Sequence, residues 1–198
     1  MRVIIAAMGL DDLDQVLVTS RAQWRAWLAE NAGTSPGIWL VTYRRATGRP
    51  APTYDDVVEE ALCFGWIDST VRSRDDRTAM QLLTPRKPTS TWSASNKARV
   101  DRLIPAGLMT GRGLAAIATA RANGSWEALD AVERLEVPED LARGLDGTPG
   151  ARAAWDGFPP GARKMMLWHV VSAKRPQTRA GRVDAIVQAA AQERRLLG

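Results

Sequence analysis

A chain of 198 residues that is 45% hydrophobic and holds eight tryptophans has enough material for one large or two small domains with a sizeable core. Its single cysteine, Cys63, excludes a disulfide framework and points to a reducing compartment, so a cytoplasmic location is expected. No stretch approaches the length of a membrane span, and the opening apolar run Val3–Met8 is too short for the core of a signal peptide.

The net charge of +5 is unevenly spread: residues 160–198 carry eight basic and two acidic groups, and a weaker basic island lies between residues 44 and 99. Only Lys87, Lys97, Lys164 and Lys174 are lysines. An Arg-, Ala- and Gly-rich composition of this kind reflects coding bias as readily as a polyanionic partner.

In chain order, Gln15–Thr19 predicts a strand. Ser20 with Gln23 forms a capping signal for a helix whose buried stripe is Trp24, Trp27 and Leu28. Residues 38–45 are β-branched and aromatic, a strand closed by a Gly48/Pro50/Pro52 loop. Thr53 opens a second helix with Asp55 and Asp56 in its first turn, where acids suit the helix dipole. Asp55, Asp56, Glu59 and Glu60 read as its solvated face rather than as a metal site, and Val57, Val58, Ala61 and Leu62 as its apolar face.

Gly65 then marks the passage from that helix into a strand, at a position that tolerates positive φ. Strict alternation along residues 66–74 places Trp66, Asp68, Thr70, Arg72 and Arg74 on one face. Arg74–Arg77 makes a turn into Thr78–Thr84, so an antiparallel hairpin is expected. The loop Thr84-Pro85-Arg86-Lys87-Pro88-Thr89-Ser90-Thr91-Trp92-Ser93 follows, cationic and stiffened by two prolines. Ser93 caps a helix bearing Asn96, Val100, Leu103 and Ile104, and another helix follows Gly111 with Leu114 and Ile117. The irregular, acidic residues 124–137 hold a boundary between a front domain, 1–132, and a C-terminal module, 133–198. That module starts helices near Pro138, Pro149, Pro160 and Pro176. Its third helix, with Met165, Met166, Leu167, Trp168, Val170 and Val171, reads as buried on most sides. The fold class is therefore α+β: a small antiparallel sheet with helices packed against it, followed by an all-helical C-terminal module.

No zinc spacing, phosphate-cradling glycine pattern or nucleophile elbow is present, so no metal or cofactor is expected. Cys63 reads as inert packing and His169 as a core imidazole. What remains is a convergence of polar and aromatic types, Trp66, Asp68, Arg72, Thr84, Arg86, Lys87, Trp92, Ser93 and Asn96, brought together if the hairpin forms. Arg suits bidentate capture of carboxylate or phosphate, and Trp suits stacking on a flat ring. A small anionic or aromatic ligand is the expected partner. The plainer alternative is a loop that covers the sheet edge, with Arg86 anchored to Asp68. A second cationic face comes from Arg175, Arg179 and Arg182 at spacings of four and three, a candidate for phosphate contacts if not a solvated face. Nucleic-acid binding through these basic C-terminal helices together with the central loop, or an enzyme with Asp68 as general acid or base, are the rival readings.

The motif Glu59-Glu60-Ala61-Leu62-Cys63-Phe64-Gly65-Trp66-Ile67-Asp68, followed by Thr84-Pro85-Arg86-Lys87 and Ser90-x-Trp92-Ser93-x-x-Asn96, resembles the YdeI/OmpD-associated, or bacteriocin-protection, family. The segment Ala173-Lys174-Arg175-Pro176-x-Thr178-Arg179-x-x-Arg182 resembles that family's small helical tail module. The chain departs from the pattern at Leu82-Leu83, where an aromatic is common. The resemblance implies a bacterial cytoplasmic protein with a role in stress or bacteriocin tolerance, including self-resistance, and implies no particular reaction.

Overall fold

The structure, a computed structural model, describes residues 10–197; the apolar run Val3–Met8 lies outside the described residues. The chain forms two compact units that divide between Trp126 and Glu127. Trp126 packs into the core of the first unit against Trp92, which draws the chain up to that point into the front unit.

The front unit is α+β. Its four strands, β1 (Gln15–Leu17), β2 (Ile38–Tyr43), β3 (Trp66–Ser73) and β4 (Thr78–Pro85), form one sheet in the order β1-β2-β4-β3. The hairpin of β3 and β4 and the β2–β4 pair are antiparallel. β1 adds a parallel edge, because helix α1 (Arg21–Asn31) carries the chain across before β2 begins. Ser20 caps α1 by accepting from the Gln23 amide, and Thr53 with Asp56 closes a reciprocal capping box on helix α2 (Tyr54–Cys63).

Three indoles bind α1 and α2 to the sheet. Trp24 stacks on Trp27 at 5.5 Å, and both meet Trp66 edge-on, at 6.5 and 5.8 Å. Trp24 donates from Nε1 to the Val57 carbonyl and Trp66 to the Ala32 carbonyl, so neither buried N–H is left unpaired. Each such ring pair adds about 0.5–1.5 kcal/mol beyond area burial.

Helix α3 (Ala94–Leu103) is capped by Ser93, and helix α4 (Gly111–Ala122) by Thr110. α4 begins directly against the end of α2: the Thr110 amide and hydroxyl both donate to the Cys63 carbonyl, at 3.0 and 2.7 Å. A Cβ at Gly113 would overlap that same carbonyl oxygen, which accounts for glycine there. Gly65, at φ +76°, makes the turn from α2 into β3.

The second unit is all helical: α5 (Asp130–Glu133), α6 (Glu139–Gly147), α7 (Ala151–Gly157), α8 (Pro160–Val171) and α9 (Pro176–Ala191). Leu141, Leu145, Trp155, Met166, Leu167, Val170, Ile186 and Val187 form its core. Helix α8 is more one-sided than its composition implies. Met166, Leu167 and Val170 are buried, whereas Met165 is 51% exposed and Trp168 37% exposed. α7 starts at Ala151, two residues beyond Pro149, with Gly150 as its cap.

Candidate functional site

The predicted cluster divides in two at a β-bulge. Trp66 and Asp68 pair with Pro85 and Leu83, but the register shifts before Val71 pairs with Gln81 and Arg72 with Met80. The extra residue inverts the alternation. Val71 therefore takes the face shared with Asp68, and Arg72 turns to the other. There it lies 4.8 Å from the Trp39 ring centroid and pairs with Asp11 at 3.2 Å. The expectation that Asp68 and Arg72 share a face fails for this reason. Thr84, opposite Ile67, is likewise out of phase with Asp68 and approaches Gly37.

Trp66 and Trp92 are core residues, and neither presents a ring face to solvent. Ser93 is occupied as the α3 cap, and Asn96, half-buried one turn on, accepts a long contact from Arg99 at 3.5 Å. Asp68 is half-buried and accepts from the Tyr54 hydroxyl and the Gln81 amide, each at 2.9 Å and both on Oδ2. The expected ion pair from Arg86 to Asp68 does not form as a hydrogen-bonded contact; Asp68 acts on Arg86 only through space.

Arg86 itself is the distinctive residue. Its amide donates to the Gly65 carbonyl at 2.9 Å, which fixes the loop to the end of β3. Its guanidinium carbon lies over Trp92, 3.7 Å from the ring centroid, and Nη1 donates to the Thr91 carbonyl at 3.1 Å. Nε and Nη2, the edge that forms a bidentate fork with carboxylate or phosphate, are buried and have no hydrogen-bond partner. Burial pushes the guanidinium down from its ordinary value to about 10, against the opposing pull of Asp68. The side chain lines a cavity of about 80 Å³ with Lys87, Pro88, Trp92, Ala116 and Thr119, and no acid contributes to that wall. Lys87 is exposed at its margin.

A larger ionic centre lies on α2, where the sequence pattern predicts a solvated face. Glu60 is only 2% exposed, on the helix face taken to be solvated. It accepts from Arg21 Nε at 2.7 Å and from Arg25 Nη1 at 2.6 Å, while Arg21 also reaches Asp56 and Glu59. The only signal was the i, i+4 spacing of the two arginines on α1. Cys63, one turn beyond Glu60, is buried; burial first, then the Glu60 charge, pushes its thiol up to about 11, so it is a poor nucleophile.

In the second unit the basic face is largely committed to the fold. Arg179 grips Asp140 with both ends of its fork, at 2.6 and 2.9 Å, and Arg182 donates to the His169 carbonyl and the Ser172 hydroxyl at the end of α8. Arg175 is exposed ahead of α9. His169 is half-buried rather than in the core, and burial, then Arg182, lowers its basicity. Among the described residues no group of three or more His, Cys, Asp or Glu is placed to hold a metal ion, and no helix is long and apolar enough to cross a membrane.

Two family models match the chain. Residues 16–116 match the Domain of unknown function (DUF8412), and residues 134–193 match the family described as Bacteriocin-protection, YdeI or OmpD-Associated. No curated protein and no solved structure matches. The front motifs around Asp68 and Arg86 fall under the first model, and the tail segment from Ala173 to Arg182 under the second. With half of its length under the first model, the chain belongs to the family of that domain of unknown function, and its C-terminal module is of the bacteriocin-protection, YdeI or OmpD-associated family.

Proposed function

We propose that this chain is a non-catalytic binding protein of the bacteriocin-protection type, whose front unit holds a small anion, a carboxylate or a phosphate, at the Arg86 cavity. The observation that carries this reading is the buried Nε/Nη2 edge of Arg86, without a partner, in a side chain that lines a cavity walled by no acid. A buried guanidinium edge left unpaired costs free energy, and an anion received there offsets that cost. The stack on Trp92 supports the charge meanwhile, at about 2 kcal/mol when desolvated. At about 80 Å³ the cavity suits an anionic head group rather than an aromatic ring, and both candidate indoles are already packed in the core.

The tail module's family supports a self-resistance or tolerance role, and the lone, unbridged Cys63 supports a cytoplasmic setting in a bacterium. Nucleic-acid binding is the weaker reading because Arg179 and Arg182 serve the fold. Calorimetric titration of the whole chain with phosphate, sulfate and acetate tests the proposal. Arg86→Met is expected to lower the affinity of whichever anion binds by at least about tenfold, and Lys87→Ala by a few-fold. Equal binding by Arg86→Met and wild type overturns the assignment.

A further inference from the structure

We propose that the hollow between the end of β2 and the start of α2 is a second binding site, one that takes a phosphate monoester of a ring-sized organic group. The hollow has a volume of about 590 Å³, and its walls include Tyr43, Arg45, Arg49, Ala51 and Pro52. That volume falls within the roughly 300–1,000 Å³ of small-molecule sites. The hollow and the Arg86 cavity lie at opposite ends of β4: Tyr43 pairs with Thr78 at its start, whereas Arg86 follows Pro85 at its end.

The charge in this wall is of one sign. The guanidiniums of Arg45 and Arg49 line the hollow and no acid does, and neither arginine has a carboxylate partner among the described residues. The acids of the adjoining helix turn are engaged elsewhere: Asp55 pairs with Arg99, and Asp56 with Thr53 and Arg21. Two like charges on one wall repel, and an anion received between them replaces that repulsion with two attractions.

The turn after β2 sets the two arginines there. Residues 45–47 make one 3₁₀ turn, and Gly48, at φ +64°, reverses the chain. The Thr47 hydroxyl braces it, donating to the Arg44 carbonyl at 2.8 Å and accepting from the Arg49 amide at 3.3 Å. Arg44 itself is drawn off to the Ser73 hydroxyl and the Asp75 carbonyl, so the basic pair is divided between the hairpin and the hollow.

The donors suit a phosphoryl group. Arg49 donates from Nη1 to the Tyr43 hydroxyl at 3.0 Å and lies 5.0 Å from that ring's centroid, which holds its plane and leaves Nε and Nη2 for an anion. The Tyr43 hydroxyl, accepting from Arg49, has its own proton to give, and Arg45 brings a second fork. A monoester offers three acceptor oxygens and a charge of about −1.5 to −2 at pH 7, a match for two arginines and a phenol. A carboxylate offers two oxygens and a single charge. Ala51 and Pro52 give the ring of the ester an apolar wall.

The probe is phenyl phosphate, titrated into the full chain and into its Arg86→Met variant and followed by amide chemical shifts, with phenol and inorganic phosphate as its two halves. Saturable shifts centred on Arg45, Gly48 and Arg49 are expected in both chains, with each half at least about tenfold weaker. Arg45→Gln and Arg49→Gln, both at exposed positions, should each weaken phenyl phosphate about tenfold. Unsaturable shifts, equal binding of phenol or of phosphate, or wild-type affinity in either glutamine variant overturns the proposal. Loss of the shifts in the Arg86→Met chain also overturns it, because the ester then sits at the Arg86 cavity. Failure of phosphate, sulfate and acetate to bind at Arg86 would leave every one of these expectations unchanged.

Discussion

Glu60 and Arg86 are both charged side chains with buried polar atoms in the front unit, yet the chain surrounds them differently. Glu60 receives two arginines from α1, one on each carboxylate oxygen, inside a network that extends to Asp56 and Glu59. Arg86 receives one carbonyl and one aromatic face, and the half of its guanidinium best suited to an anion receives nothing from the described residues. A buried charge whose bonds are complete holds architecture together. One whose bonds are incomplete is a cost that folding alone does not explain, and so marks where a ligand is to be sought.

That contrast is open to direct attack. The largest expected effect is from Glu60→Ala, which strips Arg25 of its only carboxylate partner among the described residues and Arg21 of its closest one; urea unfolding should show a loss of about 3 kcal/mol. Next is Arg179→Ala in the second unit. It releases a half-exposed bidentate pair with Asp140 and should cost about 1 kcal/mol, followed through the transition of that unit.

A smaller effect is expected from acid. Arg179 holds the Asp140 carboxyl below its ordinary value, and Thr53, with Arg21, does the same for Asp56. A depressed folded-state value stabilises above the unfolded pKa of about 4 and is lost as pH falls through the folded value. Stability should therefore decline below about pH 4, and Asp140→Asn should flatten that decline for the second unit. Smallest of all is the stability change expected from Arg86→Met. A buried cation with half of its fork unpaired, replaced by an apolar side chain of similar length that still packs on Trp92, should leave the unfolding free energy in urea within about 0.5 kcal/mol of wild type, or raise it, while anion binding falls. A loss as large as that of Glu60→Ala would show that Arg86 is a structural charge after all.

The local features of the fold are written in short spans and can be read there. Ser93 and its helix, the Thr53/Asp56 capping box, the glycine turn at Gly65 and the β3–β4 hairpin each rest on residues within a few positions of one another. What could not be read depends on distant partners or on one residue of slippage. Local pattern puts Glu60 on a wet face because the arginines that bury it lie 39 and 35 positions earlier. The basic stripe at Arg179 and Arg182 has the helical spacing read from the sequence, yet Asp140, the carboxylate that engages it, is 39 positions away. The parallel edge at β1 depends on how α1 crosses, not on any property of Gln15–Leu17 itself. The bulge after Asp68 has no compositional sign, and it alone separates Arg72 from the residues with which alternation groups it. Even so, Asp68 and Arg86 do lie within electrostatic reach of each other, as the hairpin implied.

The same irregularity matters beyond the molecule. β3 is the outer strand of the sheet on its side, and residues 69–73 are exposed along it. A regular strand in that place would offer a second chain an unbroken ladder of amides and carbonyls on which to zip. The kink interrupts that ladder and, with Arg72 and Arg74 following it, works against sheet-to-sheet pairing of copies of the protein; straightening it by deleting Ser69 or Thr70 should make that edge prone to such pairing, read as a rise in aggregation by light scattering.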